Sequence, residues 1–410
     1  MPDSHGPMRV LVVHNRYRSE MPSGENRVVD DDVEMLRDAG LDVRTFFRDS
    51  DDIRDFAPLQ KAALTISPAY SVEAVADFRR VIGEFQPDVV HLHNPFPLIS
   101  PWVVRVAKKA GIPVVQTVHN YRHSCPAGTF FRDGRVCEDC AGKATPWPSV
   151  VHGCYRDSRA QSAVMAATAR IHRSTWQMVD RFLPVSDFVA GKLVGAGIPG
   201  ERMVVRANPV PDPGDPKPLG SGHLFVGRLT KEKGVALLVE AWTRSRLPAE
   251  ARLTVAGDGP LRPLVQAMTE RHHGVRWLGA VAPTSVKSLL DDCAVVVVPS
   301  VCHEGFSLVA ANAFAHGRPV AASRLGALAD VVDDSVGWLS APDVESFSTM
   351  LESTQYGVEA KAGEARQRYI DGVARNRLLP QLPDLYSSLV RQTSGTPMRS
   401  AQHEAELQPT

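Results

Sequence analysis

The chain has 410 residues, 43% of them hydrophobic and 22% charged, which is typical of a folded protein with two domains of ordinary size. Lysine and arginine together number 46, as do aspartate and glutamate, so the charge balance does not favour nucleic acid or an anionic membrane surface as a partner. No apolar run approaches the roughly 20 residues that a membrane span needs, and the first run, interrupted by His14 and Arg16, predicts a strand rather than a signal peptide. Six cysteines without such a signal predict a reducing, cytoplasmic location, either free or peripheral to a membrane.

Short apolar runs alternate with helix-length segments along the chain, which predicts an α/β fold with parallel sheets covered on both faces. The first helix is expected over 26–39, because its apolar residues are spaced to form one buried face. Strands are expected at 9–13, 89–93, 113–117, 223–226, 252–256, 275–278, 294–298 and 319–322. The pattern therefore divides the chain into two similar domains, 1–207 and 223–378.

The segment 208–222 separates these halves. It holds five prolines and three glycines, too many for a helix or a central strand, so we expect a semi-rigid linker. Near the end of the chain, a helix-like stretch around 385–390 follows two prolines. The residues beyond it, 393–410, are polar and aperiodic and are expected to form a flexible tail.

The sequence GRLTKEKG, 227–234, follows the strand-like HLFV and precedes the helix-like VALLVEAW. Arg228 and Lys233 are therefore expected in a loop at the carboxyl end of a strand, where open α/β sheets bind ligands. Lys233 would oppose the dipole of the following helix, and an anionic ligand would relieve that conflict. A solvated surface charge run is the alternative. Further along, GDGP at 257–260 predicts a tight turn beside a ligand or a neighbouring strand, although a simple strand-to-helix turn fits it as well.

The sequence CHEGFSLVAANAF, 302–314, follows the buried strand-like VVVVPS. We expect the helix to begin near Phe306, which would leave the amides of Phe306, Ser307 and Leu308 free to bind a diphosphate. Glu304, just before these amides, would repel a phosphate and is expected to accept hydrogen bonds from sugar hydroxyls instead. The alternative is an acidic residue that is stabilised only by the helix dipole.

Three histidines, His91, His93 and His119, cluster at the carboxyl ends of predicted strands. We expect the alternation in HLH to send His91 and His93 to opposite faces of the sheet. A three-histidine metal site is therefore not predicted.

A cysteine-rich insert at about 121–158 contains Cys125, Cys137, Cys140 and Cys154. The Asp133-Gly134 pair predicts a hairpin turn that folds the first cysteine back toward the C-x2-C pair. Four thiolates at this spacing suit a closed structural Zn²⁺ site, with His123 and His152 as substitute ligands. A redox-active C-x2-C pair and unliganded thiols are the alternatives.

Several of these motifs occur together in a recognisable order. The second half contains GRL with KG, GDGP, PSVCHEGFSLVAANAF and GRPVAASRLGALADVV, and the first half contains HNRYRSEMPSGENRVV, PDVVHLHN, VVQTVHNYR and FLPVSDFVAGKL. Over roughly residues 8–392 the chain resembles the retaining nucleotide-sugar glycosyltransferases of family GT4. The resemblance implies an α/β GT-B fold, in which two Rossmann-like, doubly wound domains face each other across a cleft. It also implies that a C-terminal helix, 379–392, crosses back toward the first domain.

The resemblance also implies roles for individual residues. Arg228 and Lys233 would neutralise the donor diphosphate, Glu304 would bind the hydroxyls of the donor sugar, and His119 would line the sugar pocket near the reacting carbon. Gly24 would let the first-domain loop approach the phosphates, and position 312 would hold the ribose. The full set of donor-binding candidates is Gly24, Gly227, Gly257, Gly305, Phe306, Ser307, Leu308 and Asn312.

Three positions depart from the family pattern. Asn312 and Asp330 stand where Glu is common, and Ser307 stands where Gly is common. An amide at 312 carries no charge and offers a ribose fewer acceptors than a carboxylate. We therefore expect a weaker ribose contact.

The resemblance implies a retaining enzyme that moves a hexosyl or N-acetylhexosaminyl group from a nucleoside diphosphate sugar, preferably a UDP-sugar because this nucleotide is common in the family. The acceptor would be a hydroxyl of a saccharide, a lipid-linked precursor or a small natural product. Protein cations and a helix N-terminus would stabilise the leaving diphosphate, so no catalytic metal is expected. The alternative, motivated by Asn312, is a non-catalytic nucleotide-sugar-binding partner of another glycosyltransferase.

Overall fold

Two parallel sheets form the framework of the molecule, of which the computed structural model describes residues 6–20 and 24–394. The strands of the first half are β1 (Arg9–Arg16), β2 (Asp42–Asp49), β3 (Val89–Leu92), β4 (Val114–Val118), β5 (Phe131–Arg132), β6 (Arg135–Val136) and β7 (Arg181–Pro184). The helices of this half are α1 (Gly24–Asp38), α2 (Pro58–Ala63), α3 (Val72–Phe85), α4 (Trp102–Lys109), α5 (Trp147–Val151), α6 (Arg159–Trp176) and α7 (Asp187–Gly195).

The first sheet has the strand order β2-β1-β3-β4-β7, and every neighbouring pair is parallel. The central strands β3 and β4 are buried along their whole length, which explains their uninterrupted apolar character. The strand order reverses between β1 and β3. The loops that follow these two strands therefore border a crevice at the carboxyl edge of the sheet.

The second sheet repeats this design with the order β10-β9-β8-β11-β12-β13, again parallel throughout. Its strands are β8 (His223–Val226), β9 (Leu253–Ala256), β10 (Val275–Trp277), β11 (Val295–Val298), β12 (Val320–Ser323) and β13 (Gly337–Ser340). The helices are α8 (Val235–Arg244), α9 (Arg262–Arg271), α10 (Pro283–Asp292), α11 (Leu308–Ala315), α12 (Leu328–Val331), α13 (Val344–Ser353), α14 (Val358–Gly372), α15 (Arg375–Leu378) and α16 (Gln381–Ser394). The order reverses between β8 and β11, so the loops 227–234 and 299–307 meet at this switch point.

Two sheets of this kind confirm the predicted α/β class with doubly wound parallel halves. The first helix runs from Gly24 to Asp38, within two residues of the prediction. Residues 208–222, all of which are described, form no helix or strand apart from an isolated bridge between Val210 and Ala374. Within the described ranges, no helix combines the length and the apolar character needed to cross a bilayer.

Three strands of the two main sheets were not predicted from the sequence, and each has a local feature that explains this. β2 has the sequence DVRTFFRD and lies at the edge of its sheet, where charged side chains remain partly exposed and interrupt the apolar run. β7 and β13 are short edge strands of four residues each, and β13 begins with a glycine. Their pairing with β4 and β12, rather than their own composition, makes them strands.

The last helix, α16, packs against the first sheet rather than the second. Its buried residues Leu382, Tyr386 and Leu389 share a core cluster with Val10 and Val12 of β1. In addition, the Tyr386 hydroxyl is hydrogen-bonded to His91 Nδ1 at 2.6 Å. The chain therefore ends its described part in the domain where it began, and residues 395–410 of the predicted tail lie outside the described residues.

Candidate active site

The loop that follows β8 contains Arg228 and Lys233 and is shaped by two glycines. Gly234 has a φ of +69°, and a Cβ atom there would lie 1.7 Å from the carbonyl oxygen of Pro299. Gly257 likewise leaves room for the carbonyl of Gly227, which an added Cβ would meet at 1.8 Å. Only glycine permits these close approaches. As a result, the loops after β8, β9 and β11 are pressed together at the switch point.

This packing brings Lys233 to Glu304. Lys233 Nζ lies 2.7 Å from Glu304 Oε1, and the Ser300 hydroxyl donates to the same oxygen at 2.6 Å. Burial alone would raise the pKa of Glu304, but Lys233 and Ser300 outweigh that effect and lower it. Burial would likewise lower the pKa of Lys233, but Glu304 raises it. Both groups are therefore charged at neutral pH and neutralise each other in the ligand-free protein.

Arg228 completes a cluster of charges at this edge. Its side chain is 44% exposed, and Nη2 lies 3.4 Å from Glu232 Oε1. It is close enough to affect the ionisation of both Lys233 and Glu304. A surface pair of this kind is weak. The guanidinium is thus available to an anion that enters the crevice.

Helix α11 begins at Leu308, two residues later than predicted. Ser307 is its N-cap, with the side-chain oxygen accepting from the amide of Ala310 at 3.3 Å. The amides at the start of the helix that can face an anion are therefore those of Ser307, Leu308 and Val309, and the expectation that the helix begins near Phe306 is corrected by two residues. The cap also explains why a serine suits position 307, since its hydroxyl satisfies an amide that glycine would leave to solvent or ligand.

Asn312 lies one turn further along α11. Its Nδ2 donates to the carbonyl oxygen of Leu308 at 2.6 Å, so the two residues share a helix face. One N–H of the amide is therefore used within the helix. The second N–H and the carbonyl oxygen are the groups that Asn312 can offer to a ligand.

The first domain meets this site across the cleft. A Cβ on Gly24 would lie 2.5 Å from the Leu308 side chain, and a Cβ on Gly305 would lie 3.2 Å from the carbonyl of His119. The Ser186 hydroxyl donates to the Gly305 carbonyl at 2.7 Å. The start of α1 is therefore in contact with the start of α11, and the loops after β4 and β7 are in contact with the loop that carries Glu304.

The cleft also contains an apolar cavity beside the start of α11. Ser186 and Asp187 border it from the first domain, and Phe306, Ser307 and Asp330 border it from the second. Burial, with a smaller contribution from Asp187, raises the pKa of Asp330. Two of the three positions that depart from the family pattern thus line this cavity.

The histidine cluster differs from the prediction. The rings of His91 and His93 lie on the same side of the sheet, with centroids 4.3 Å apart, so the expectation of opposite faces was wrong. Residues i and i+2 of a strand point to the same face. His93 Nδ1 in turn lies 3.0 Å from His119 Nε2, and the two rings are stacked. Burial is the main cause that lowers the pKa of His119 to about 3, so its imidazole is neutral at physiological pH.

A second polar cluster in the first domain was not assigned from the sequence. Glu25, next to Gly24, accepts hydrogen bonds from the Tyr17 hydroxyl at 3.1 Å and from Asn120 Nδ2 at 3.4 Å. Burial raises the pKa of Glu25 to about 7, although the nearby Arg122 opposes the shift. Glu25 and His119 border the same cavity at the carboxyl edge of the first sheet. The position of Glu25 in the first turn of α1, facing the switch point of this sheet, was the signal that could have identified it.

The four cysteines of the insert are all free thiols, and they border one small cavity. Within the described part of the chain, however, no three His, Cys, Asp or Glu side chains are already oriented around a point that could hold a metal ion. The four thiols therefore border one cavity, but their sulfur atoms are not arranged as the ligands of a metal ion.

Comparisons with known proteins agree with this architecture. The model of the glycosyl transferase 4-like domain matches residues 23–209, and the model of glycosyl transferases group 1 matches residues 221–354. The glycosyltransferase WcaL of Escherichia coli (strain K12), named for colanic acid biosynthesis, is 30% identical over 235 residues, which cover 53% of this chain and 56% of WcaL. The phosphatidyl-myo-inositol mannosyltransferase of Mycobacterium leprae (strain TN) is 26% identical over 388 residues, which cover 88% of this chain and 93% of that protein.

Among solved structures, the sucrose-phosphate synthase of Thermosynechococcus elongatus superposes with a TM-score of 0.70 at 18% identity, covering 94% of this chain and 100% of that one. The chain spans only about half the length of several curated relatives that it matches. The two sheets and the cleft define a GT-B fold. The chain belongs to the group 1, GT4-type glycosyltransferases.

Proposed function

We propose that this protein transfers a hexosyl or N-acetylhexosaminyl group from a nucleoside diphosphate sugar to a hydroxyl acceptor. The observation that carries the proposal is the pairing of Lys233 with Glu304 beside the first turn of α11. Arg228 and that first turn supply further positive potential at the same edge. A doubly charged diphosphate and a polar sugar both find complementary groups there.

The leaving diphosphate develops charge as the glycosidic bond breaks, so groups that stabilise this charge accelerate the reaction. Lys233, Arg228 and the amides of Leu308 and Val309 are the protein groups suited to this task. Because they can supply the required positive charge, the proposed chemistry does not depend on a divalent metal. In the ligand-free protein Lys233 is paired with Glu304, and a bound diphosphate would share that cation.

Glu304 is the group proposed to hold the donor sugar. It is 8% exposed, and its Oε1 is already occupied by Lys233 and Ser300. A carboxylate fixed in this way can accept hydrogen bonds from sugar hydroxyls through its remaining lone pairs. The fixed geometry would favour one arrangement of hydroxyls and hence one sugar.

We propose retention of anomeric configuration, by front-face attack in which the leaving phosphate takes the acceptor proton. No protein nucleophile is assigned. His119 is neutral because of its lowered pKa, and this suits a residue that lines the sugar pocket rather than one that delivers a proton as an imidazolium. Glu25, with a pKa of about 7, is the group on the acceptor side that can exchange a proton near neutral pH.

UDP is the proposed nucleotide, because UDP-sugars are common donors in the family. For the acceptor, the name of WcaL refers to a polysaccharide, and that of the Mycobacterium leprae relative refers to a phosphoinositide lipid. These names support a saccharide or lipid-linked hydroxyl ahead of a small natural product. The cytoplasmic location stays a prediction.

The test begins with the donor, because donor binding can be measured without knowing the acceptor. A panel of UDP-, GDP-, ADP- and dTDP-sugars is screened by thermal shift, and each binder is then incubated to measure the slow release of nucleotide. We expect one nucleotide series to raise the melting temperature, and at least one of its sugars to be hydrolysed. A chain that binds no nucleotide sugar at all would contradict the proposal.

A second candidate function is a nucleotide-sugar-binding protein without catalysis, and Asn312 is the observation that favours it. Asn312 stands where the family usually has a carboxylate, and one N–H of its amide is hydrogen-bonded to the carbonyl oxygen of Leu308. Donor binding without hydrolysis or transfer, across a panel of acceptors, would favour this second function over the first.

A further inference from the structure

The cysteine-rich insert folds around a short hairpin. β5 and β6 pair antiparallel, and the turn between them has positive φ at both Asp133 and Gly134, as a two-residue hairpin turn requires. The amide of Cys137 donates to the carbonyl of Phe130 at 2.8 Å and extends the hairpin. The predicted turn is therefore confirmed. The turn brings the C-x2-C pair to the cavity that Cys125 also borders.

The other cysteines are also fixed through their backbone. The amide of Cys125 donates to the carbonyl of Tyr121 at 2.7 Å, and that of Cys154 donates to the carbonyl of Ser149 at 3.0 Å. All four thiols border one cavity, whose wall is completed by Ala127, Phe131, Arg132 and Ser149. Four cysteines spread over 30 residues of the sequence thus border the same cavity. The folded backbone, not a flexible side chain, brings them together.

The thiols are at present turned toward protein groups. Cys140 Sγ, for example, lies 3.7 Å from the carbonyl oxygen of Pro146. A metal ion in the cavity would require the sulfurs to turn from these groups toward a common point.

The surroundings suit a metal-thiolate centre. Four thiolates around a divalent ion carry a net charge of about −2, which needs compensation in a buried site. Arg132 borders the cavity, with a side chain that is 18% exposed and an Nη1 that lies 3.1 Å from Asp139. Strands of two residues contribute little stability by themselves, and small units of this type commonly depend on a metal or a cross-link.

We propose that Cys125, Cys137, Cys140 and Cys154 bind one Zn²⁺ ion in a closed structural site. Zinc enters as thiol protons leave, and no group is oxidised or reduced. The site is separate from the proposed donor site and contains no diphosphate ligand. Zinc suits the site because an all-thiolate, tetrahedral set of ligands is typical of this metal.

The metal would also fix a contact between the two domains. Glu138 lies between Cys137 and Cys140, and both of its oxygens accept from Lys192 Nζ at 2.7 Å. Glu138 Oε1 additionally lies 2.9 Å from Nε2 of His303, the residue that precedes Glu304. A rigid C-x2-C turn would therefore hold the insert against the loop that carries Glu304.

The first experiment measures metal in the full-length protein, purified in reducing buffer without added chelator. We expect about one zinc ion per chain. Cys137→Ser and Cys140→Ser should lose most of it, and Cys293→Ser, a buried cysteine of the second domain, should keep it. Absence of zinc from the wild-type protein, together with no binding of added ZnCl₂, would overturn the proposal.

A labelling experiment on the wild-type protein covers the case in which the serine variants do not fold. With zinc bound, the four insert thiols should resist alkylation, and EDTA should expose them to the reagent, as read by peptide mass spectrometry. A disulfide between any two of these cysteines in freshly prepared protein, or alkylation that zinc does not change, would contradict the site. Both readouts are independent of glycosyl transfer.

Hydrogen exchange tests the contact between domains. Removal of zinc should increase exchange in the segment 137–140 and also in 302–305, and Glu138→Gln should reproduce only the second increase while keeping the metal. If zinc removal leaves 302–305 unchanged, the insert does not hold this loop, and that part of the proposal is wrong.

Discussion

Lys233 and Glu304 lie 71 positions apart in the sequence, yet Nζ and Oε1 are 2.7 Å apart at the carboxyl edge of the second sheet. The contact exists because Gly234 allows its loop to press against the end of β11. It joins the two residues to which the family resemblance assigns separate roles, one for the diphosphate and one for the sugar. Removal of one partner therefore leaves the other without its counter-charge.

We expect Lys233→Ala to lower turnover by about 100-fold or more, because a fixed cation is lost where charge develops. The free energy of unfolding should also fall by about 1 to 3 kcal/mol, because Glu304 keeps a buried charge without its partner; the partial exposure of Lys233 moderates this cost. Steady-state kinetics and chemical denaturation measure the two effects.

Two further variants separate stability from catalysis at this pair. Adding Glu304→Gln to Lys233→Ala should restore stability and leave turnover low. Lys231→Ala, an exposed lysine of the same loop, is the matched control and should behave like the wild-type protein. Wild-type turnover in the Lys233→Ala protein would remove this loop from the donor site.

Glu25 predicts a pH-dependent difference in stability. Burial raises its pKa from 4.5 to about 7 in the folded protein, so the folded state binds this proton more tightly than the unfolded state does. The resulting stabilisation is complete below about pH 4.5 and is lost as the pH rises through about 7.

Glu25→Gln removes that dependence. The melting temperature of the variant relative to the wild-type protein should therefore increase between about pH 4.5 and 7 and then level off, as measured by differential scanning calorimetry. Glu73→Gln, an exposed acid near the start of α3, should give no such difference. A constant offset at every pH would show that Glu25 ionises normally.

Asn312 is expected to bind the ribose mainly through its Oδ1, because one N–H of its Nδ2 is already donated to Leu308. Asn312→Ala should raise the donor KM by about tenfold, the loss of one hydrogen bond, and change kcat much less. Asn312→Asp keeps the acceptor, adds charge and gives up the bond to Leu308, so it should bind the donor at least as well as the alanine variant. Unchanged donor KM in Asn312→Ala would mean that the ribose lies elsewhere.

The hydrogen bond between Tyr386 and His91 predicts a purely structural effect. Tyr386→Phe removes a buried hydroxyl and leaves His91 Nδ1 without that partner, which should cost about 1 to 2 kcal/mol of stability. The donor KM should not change. Tyr356→Phe, at a tyrosine that is 75% exposed, serves as the control and should cost almost nothing. An unaltered denaturation midpoint in Tyr386→Phe would contradict the importance of this contact.

Much of the fold was readable from the sequence because buried parallel strands leave uninterrupted apolar runs, as in β4 and β11. The exposed edge strand β2 left no such run. The start of α11 was misplaced because Ser307 looked like a helical residue, whereas its side chain caps the helix from outside.

The contacts between distant residues within the site could not be predicted in this way. No local pattern reveals that Lys233 meets Glu304, that the half-buried Glu25 lies near Arg122, or that Glu138 reaches His303 across the cleft. Each depends on loops from different strands meeting at one edge. Glu138 in particular lies between two cysteines, and the local pattern there predicts a metal site rather than a contact with the second domain.

The return of α16 to the first sheet has a consequence for biosynthesis. Tyr386 contacts a histidine 295 positions earlier, and its helix covers β1, which leaves the ribosome before the other strands of its sheet. A nascent chain that has completed only the first sheet therefore exposes Val10 and Val12 until α16 has been translated. Such exposed apolar surface favours aggregation or binding by a chaperone. Translation that stops before residue 381 would yield a first domain that cannot close its own core.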